Sequence, residues 1–221
     1  MKEKTDIRCI KHFIWDFDGT LFDSYPIIIE QIQTALAGFG HTIGPLELME
    51  QLLNTVSTAL KYCAKKFSID YTQLNDAYTV LHNQSALLPV APPMASVEKA
   101  LAAVRERGGK NLIFTHRTLD STTAYLEKYG LSHYFSDIVA PGTPGFAWKP
   151  APDSIEYLLK THGLDRDEVA MVGDREIDLI SARAAGIYGI HYLCKAVPQE
   201  LNCHWCFSDY AEMAAKLKSK E

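Results

Sequence analysis

Short apolar runs alternate along this chain with longer stretches of amphipathic, helix-period sequence, and that alternation restricts the fold more than any other feature. It predicts an α/β protein with a parallel sheet covered by helices. Strands are expected at about Cys9–Asp16, Asn111–Thr115, Asp137–Ala140, Val169–Asp174 and Gly189–Leu193. Helices are expected near Ala95–Arg107, Ser121–Tyr129, Asp153–Thr161, Glu176–Ala185 and Tyr210–Lys218, two of them closed by glycine just past a basic residue ("ERGG", "KYG"). From about Tyr25 to Leu88 the alternation stops, and only helix-like segments such as "LELMEQLLNTVSTALKYCAKKF" occur. "LLPVAPPM", with three prolines in eight residues, then leads back to the alternating pattern. The expected organisation is a core of residues 1–24 and 89–221 with an all-helical domain, 25–88, inserted after the first strand. An insertion there leaves the sheet beside the C-terminal end of a strand, where open α/β sheets bind ligands, so it is expected to act as a lid.

The chain has 221 residues, 47% hydrophobic and 22% charged, a composition ordinary for a soluble globular protein. A net charge of -5 offers no electrostatic case for nucleic acid as a partner. No apolar run approaches the roughly 20 residues that cross a bilayer, so no membrane partner is expected. "MKEKTDIRCIKHF" lacks the apolar core and cleavage site of a secretory signal, and five irregularly spaced cysteines do not form a disulfide framework. A reducing cytoplasm is the expected setting, with the chain as a monomer or homodimer.

The chemistry concentrates at the ends of the expected strands. In "FIWDFDGTLFDS", Asp16 and Asp18 close an apolar run two residues apart, on one face of an extended stretch, and Gly19 and Thr20 then permit a sharp turn. Neighbouring carboxylates in an apolar setting disfavour each other's ionisation, so a counter-charge is required. "VAMVGDREID" ends another strand with Asp174 and, once a helix starts, Asp178 close to the same face. Several carboxylates at one sheet edge need a cation, and all-oxygen ligation suits Mg²⁺. "NLIFTHR" delivers Thr115 to a strand tip, where the N–H groups of the following turn face an anion. "AWKPAPDSIEYLL" places Lys149 ahead of a helix, where it neutralises carboxylates and phosphate oxygens alike. The expected counter-charges are a divalent metal and Lys149, and the anion they jointly hold is a phosphoryl group.

"DFDGT", "FTHR", "KPAPD" and "GDREID", in this order, resemble the four motifs of the haloacid dehalogenase superfamily, most closely its phosphoglycolate-phosphatase-like branch in subfamily IA. The resemblance covers nearly the whole chain, implying a Rossmann-like core with a helical cap of the C1 type. It implies that Asp16 is the nucleophile, forming an aspartyl-phosphate, and that Asp18 protonates the leaving alcohol and then deprotonates water. It further implies Mg²⁺ held by the Asp16 carboxylate, the Asp18 backbone carbonyl and Asp174, with Asp178 nearby as a ligand or one step removed. Thr115, the His116 N–H and Lys149 would hold the phosphoryl oxygens of a small phosphorylated metabolite.

Plainer readings stand beside these. Asp178 also suits a first-turn helix acid, Lys149 an exposed helix-start lysine, and the His116 side chain a polar loop residue. Lys61, Lys65 and Lys66 in the insertion read as a solvated face. His191, Cys194, Cys203 and Cys206 ("HYLC…CHWC") have poor spacing for zinc and read as reduced thiols near the last strand. Within the superfamily, dehalogenases and phosphonatases lack the second acid, whereas Asp18 is present. Phosphomutases of the β-phosphoglucomutase type carry a linker histidine where this chain has Ile28. Phosphoester hydrolysis is the expected activity; a phosphomutase, a pyrophosphatase and a catalytically silent binding protein are the alternatives. Phosphoglycolate, a sugar phosphate, a nucleotide and pyrophosphate all remain open as substrates.

Overall fold

The computed structural model describes residues 3, 5–86, 91–193 and 201–219; Leu88, the expected end of the insertion, and Cys194 lie outside them. The chain divides into two compact units, Met1–Asp23 with Pro93–Glu221, and Ser24–Pro92. The first holds a parallel sheet of β1 (His12–Trp15), β2 (Asn111–Phe114), β3 (Phe135–Val139), β4 (Val169–Gly173), β5 (Tyr188–Tyr192) and β6 (Trp205–Phe207) in the order β3-β2-β1-β4-β5-β6. The α/β fold is therefore as the alternation predicts. β1 lies between β2 and β4, with Phe13 opposite Asn111 and Ala170. A strand covered on both faces favours a run of apolar residues, and Phe13, Ile14 and Trp15 are all fully buried.

Two boundaries differ from expectation. Ile7–Cys9 is a 3-10 turn, not strand, because the Asp6 carboxylate accepts the Arg8 N–H at 2.8 Å and pairs with the Arg8 guanidinium, turning the chain ahead of β1. β6 is an additional strand, laid parallel to β5 with Trp205 and Phe207 inward and Cys206 outward. Three residues hold too little alternation to be read from sequence.

The second unit is helical: α1 (Tyr25–Ala37), α2 (Pro45–Leu52), α3 (Val56–Phe67) and α4 (Tyr71–Ala86). The long expected helix around Leu46–Phe67 is broken in two. Thr55 takes an extended conformation and its hydroxyl accepts the Thr58 N–H at 3.0 Å, an N-cap that restarts the helix as α3. Ile28, Ile32, Leu36, Leu48, Leu52, Leu60 and Leu74 form the unit's own apolar interior. Lys61, Lys65 and Lys66 are all exposed, as a solvated face requires, and Lys66 also pairs with Glu47.

The sheet is covered by α5 (Val97–Glu106), α6 (Leu119–Lys128), α7 (Asp153–His162), α8 (Glu176–Ala184) and α9 (Tyr210–Lys218). Ile14, Leu112, Phe114, Val139 and Met171 pack with Ile155, Leu158 and Leu159 of α7 and Ala182 of α8. Trp15 instead meets Tyr210 of α9 edge-on, 5.7 Å between ring centres, and its indole N–H donates to Asn111 Oδ1 at 3.0 Å. Asn111 in turn donates to the Leu101 carbonyl at 3.0 Å, so the buried polar pair is satisfied. Among the described residues no helix is long and apolar enough to cross a membrane.

Candidate functional site

The β1–β4 ladder runs one residue past the strand: the Asp16 N–H donates to the Val172 carbonyl at 2.9 Å. That bond sets Asp16 at the C-terminal edge of the sheet, with its side chain 1% exposed. The chain then turns back, with Gly19 at φ +77° and its N–H bonded to the Phe22 carbonyl at 2.9 Å. From the end of β4, Asp174 and the first turn of α8 bring two more acids to the same edge. Asp178 Oδ2 accepts the Arg175 N–H at 3.2 Å, so this residue does cap the helix. The carboxylate can tuck back only because residue 173 is glycine: a Cβ there would lie 2.3 Å from the Asp178 Cβ. Asp16, Asp174 and Asp178 thus form a buried cluster in which one ligand oxygen from each lies within 4.8 Å of the others.

Lys149 penetrates this cluster. Its ammonium lies 2.6 Å from Asp16 Oδ1 and 2.7 Å from Asp178 Oδ1, fully buried, and not exposed as a helix-start lysine would be. Two brackets hold its loop. His116 Nε2 accepts the Lys149 N–H at 2.8 Å, and the Ser154 hydroxyl accepts the Ala147 N–H at 2.8 Å from the first turn of α7. The Arg175 guanidinium adds a contact to Asp16 Oδ2 at 3.4 Å. Asp174 is held by the Thr20 hydroxyl, which donates to its Oδ1 at 3.2 Å, and by His191, whose Nε2 lies 3.1 Å from its backbone oxygen.

Asp18 stands apart from that cluster. Its Oδ1 accepts from Arg117 Nη2 at 2.7 Å and Nε at 3.2 Å. Thr115, at the tip of β2, accepts the Arg117 N–H on its hydroxyl at 3.0 Å. The His116 ring is spent on the Lys149 backbone and packs edge-on against Trp148, 4.7 Å between ring centres.

The electrostatics follow from burial and neighbours. Burial pushes the Asp16 carboxyl up, but Lys149 and Arg175 outweigh it and leave Asp16 below the usual carboxylate range. Burial and the Asp16 charge push Asp178 up, against the opposing pull of Lys149 and Arg175. Burial, aided by Lys149, lowers His116 to about 3, so its ring is neutral and can accept a hydrogen bond. Burial also lowers His191.

Among the described contacts, Lys149 and Arg175 are the cations set against these three acids. Asp178 Oδ1 is buried and, although Lys149 is close, has no aligned hydrogen-bond donor. An all-oxygen, buried cluster of three carboxylates, one oxygen of which lacks an aligned donor, fits a hard divalent cation. Cys194 of the "HYLC…CHWC" set lies outside the described residues; His191 is turned to Asp174, and Cys206 Sγ is 4.0 Å from its Nδ1. Among the described residues, the three aspartates are the one cluster with metal-ligand spacing, and Cys9, Cys63, Cys203 and Cys206 form no disulfide.

A family model described as haloacid dehalogenase-like hydrolase matches residues 13–191, which run from within β1 to within β5 and include every residue of the site. The chain belongs to the haloacid dehalogenase-like hydrolase family. It is 26% identical over 215 residues to the phosphoglycolate phosphatase of Haemophilus influenzae (strain 86-028NP), covering 90% of this chain and 94% of the relative. It is also 26% identical to a putative pyrophosphatase of Caldanaerobacter subterraneus, covering 85% and 84%. Among solved structures, a predicted phosphoglycolate phosphatase from Haemophilus somnus superposes with a TM-score of 0.77 at 20% identity, covering 93% of this chain and 96% of that one. A family hydrolase from Deinococcus radiodurans, with bound phosphate and sodium, gives 0.78 at 19% identity, covering 95% and 96%. As a member of the phosphoglycolate-phosphatase-like branch of this hydrolase family, the chain is a phosphatase.

Arg117, Arg175, Thr20 and His191 carry contacts that sequence reasoning did not assign. Each arginine lies inside a quoted motif, "FTHR" and "GDREID". The available signal was charge balance: a crowd of acids in an apolar setting needs more cations than Lys149 alone.

Proposed function

We propose that this chain is a Mg²⁺-dependent phosphatase that hydrolyses a small phosphomonoester through an aspartyl-phosphate on Asp16. The observation that carries the reading is the state of Asp16: a buried carboxylate kept ionised by Lys149 at 2.6 Å and Arg175 at 3.4 Å. An ionised, desolvated carboxylate beside cations that also suit phosphate oxygens is equipped for attack on phosphorus. Asp16, Asp174, Asp178 and the Asp18 backbone carbonyl are the groups that would hold the metal. Bound there, Mg²⁺ supplies Lewis-acid stabilisation of the charge on the transferring phosphoryl group. Lys149, the Thr115 hydroxyl and the His116 N–H bind the phosphoryl oxygens. Asp18 gives its proton to the leaving oxygen as the ester P–O bond breaks and the Asp16–phosphorus bond forms. It then takes a proton from the water that attacks phosphorus as the Asp16–phosphorus bond breaks, and inorganic phosphate leaves.

The names of the curated relatives put phosphoglycolate first among substrates, and the putative pyrophosphatase relative keeps pyrophosphate as a second reading. A phosphate-release assay across phosphoglycolate, sugar phosphates, nucleotides and pyrophosphate, with and without EDTA, separates these. Turnover should vanish in EDTA and return with Mg²⁺. Asp16→Asn should abolish turnover and the trapped phosphoenzyme together; wild-type turnover in that variant, or phosphate trapped on another residue, overturns the assignment.

A further inference from the structure

Arg117 is a buried cation with a specific arrangement that the proposed reaction does not yet use. Its side chain is 4% exposed, and its guanidinium lies 5.3 Å from the Phe17 ring centre and 4.9 Å from that of Tyr125. Nη1 donates to the Ser121 hydroxyl at 2.8 Å, while Nη2 and Nε both donate to Asp18 Oδ1, at 2.7 and 3.2 Å. Its backbone N–H donates to the Thr115 hydroxyl at 3.0 Å. The fork is therefore fixed on one side by α6, through Ser121, and on the other by the tip of β2.

A planar guanidinium with rigid donors transmits its own position to the acid it grips. Asp18 stands just before Gly19, whose φ of +77° turns the chain back, and its carboxylate takes its placement from β2 and α6 as well as from its own loop. Both bonds end on Oδ1. Two charge-assisted bonds on one oxygen fix the orientation of the carboxyl group. The same residue ties Asp18 to Thr115, the hydroxyl proposed to hold the phosphoryl group.

From this we infer that Arg117 is the positioning residue for Asp18. It holds the carboxyl group where it gives a proton to the leaving oxygen in the first step and receives one from water in the second. The carboxyl group then ends the cycle protonated, as it began. The inference rests on the acid–base role proposed for Asp18, and it adds that Arg117 acts through that carboxylate alone.

A double-mutant cycle tests it. Asp18→Asn alone should lower kcat for an alkyl phosphate by about 10²- to 10⁴-fold. Arg117→Met should lower kcat about 10- to 100-fold with KM within about twofold, the loss expected for charge-assisted hydrogen bonds. Arg117→Lys, which keeps the charge in the same pocket, should recover part of that loss. In an Asp18→Asn background, Arg117→Met should cost almost nothing more. Should Arg117→Met fail to fold, Ser121→Ala, which loosens one arm of the fork, gives the same comparison: a loss in wild type that disappears in the Asp18→Asn background. Equal losses in both backgrounds, or no loss from Arg117→Met, overturn the role of Arg117 and leave the role of Asp18 standing. An Asp18→Asn variant with full activity overturns both.

Discussion

Lys149 sets the charge state of the carboxylate cluster, and His116 sets Lys149. The imidazole accepts the Lys149 N–H only while Nε2 is unprotonated, and burial with the nearby ammonium lowers its pKa to about 3. A base whose folded value is depressed contributes stability that is present above its unfolded value, 6.5, and is lost as pH falls below it, because the unfolded chain takes up the proton first. Between pH 6.5 and pH 3, wild type should lose up to about 1.4 kcal/mol per pH unit through this residue. His116→Gln, which retains an acceptor without titrating, should remove that component. Urea titrations of both proteins at pH 7.5 and pH 5 measure it; parallel changes in the two would show that His116 does not set the slope. The ring that sequence alone left as a polar loop residue is thus a half-buried acceptor.

At the scale of elements, the decisive unit is the turn from β4 into α8. The strand delivers Asp174, the first helical turn delivers Asp178, and Gly173 supplies the space into which the Asp178 carboxylate folds back. Gly173→Ala would place a Cβ 2.3 Å from the Asp178 Cβ, and neither the strand nor the cap can shift without losing the cluster. The expected cost is about 1–3 kcal/mol of stability, typical of overpacking. Mg²⁺ affinity should fall with it, because Asp178 is pushed from Asp16 and Asp174. Thermal melts with and without Mg²⁺ report both effects: wild type should gain stability from the metal and the variant little. A variant with an unchanged melting temperature and the full metal response would refute this account of the glycine.

At the scale of the whole molecule, the chain is two units with separate interiors, and every proposed site residue belongs to the one that contains the sheet. Within that unit the Leu21 carbonyl accepts the Met94 N–H at 2.8 Å, and Phe22 bridges Pro93. The points where the helical segment leaves and returns are therefore already neighbours. Replacing residues 24–92 by a short glycine-serine linker should leave a cooperatively folding core that still responds to Mg²⁺. The place of the helical unit after the first strand leads to the expectation of a lid, and on that expectation the shortened protein should keep activity towards p-nitrophenyl phosphate while losing preference among natural phosphomonoesters. Circular dichroism and the substrate panel decide it. An unfolded core contradicts the independence of the two units, and an unchanged preference contradicts the proposed role of the helices.

The alternation of apolar runs and amphipathic helices was enough to specify a parallel sheet, because strands buried on both faces favour apolar runs, such as Phe13–Trp15. Asp16, Asp174, Asp178 and Lys149 were legible because strand ends and helix starts are local features, and short motifs record them. What lies between those motifs was not legible. Arg117 reaches Asp18 across 99 positions and Arg175 reaches Asp16 across 159, and no local pattern encodes such a pairing. The three-residue β6 was hidden because its place comes from pairing with β5, and the break before α3 because it turns on one cap residue. Sequence determined which acids meet at the sheet edge, and that Lys149 joins them. Only tertiary structure decided which cation serves which acid, since burial removes solvent as a partner and forces each charge to find another one in the fold.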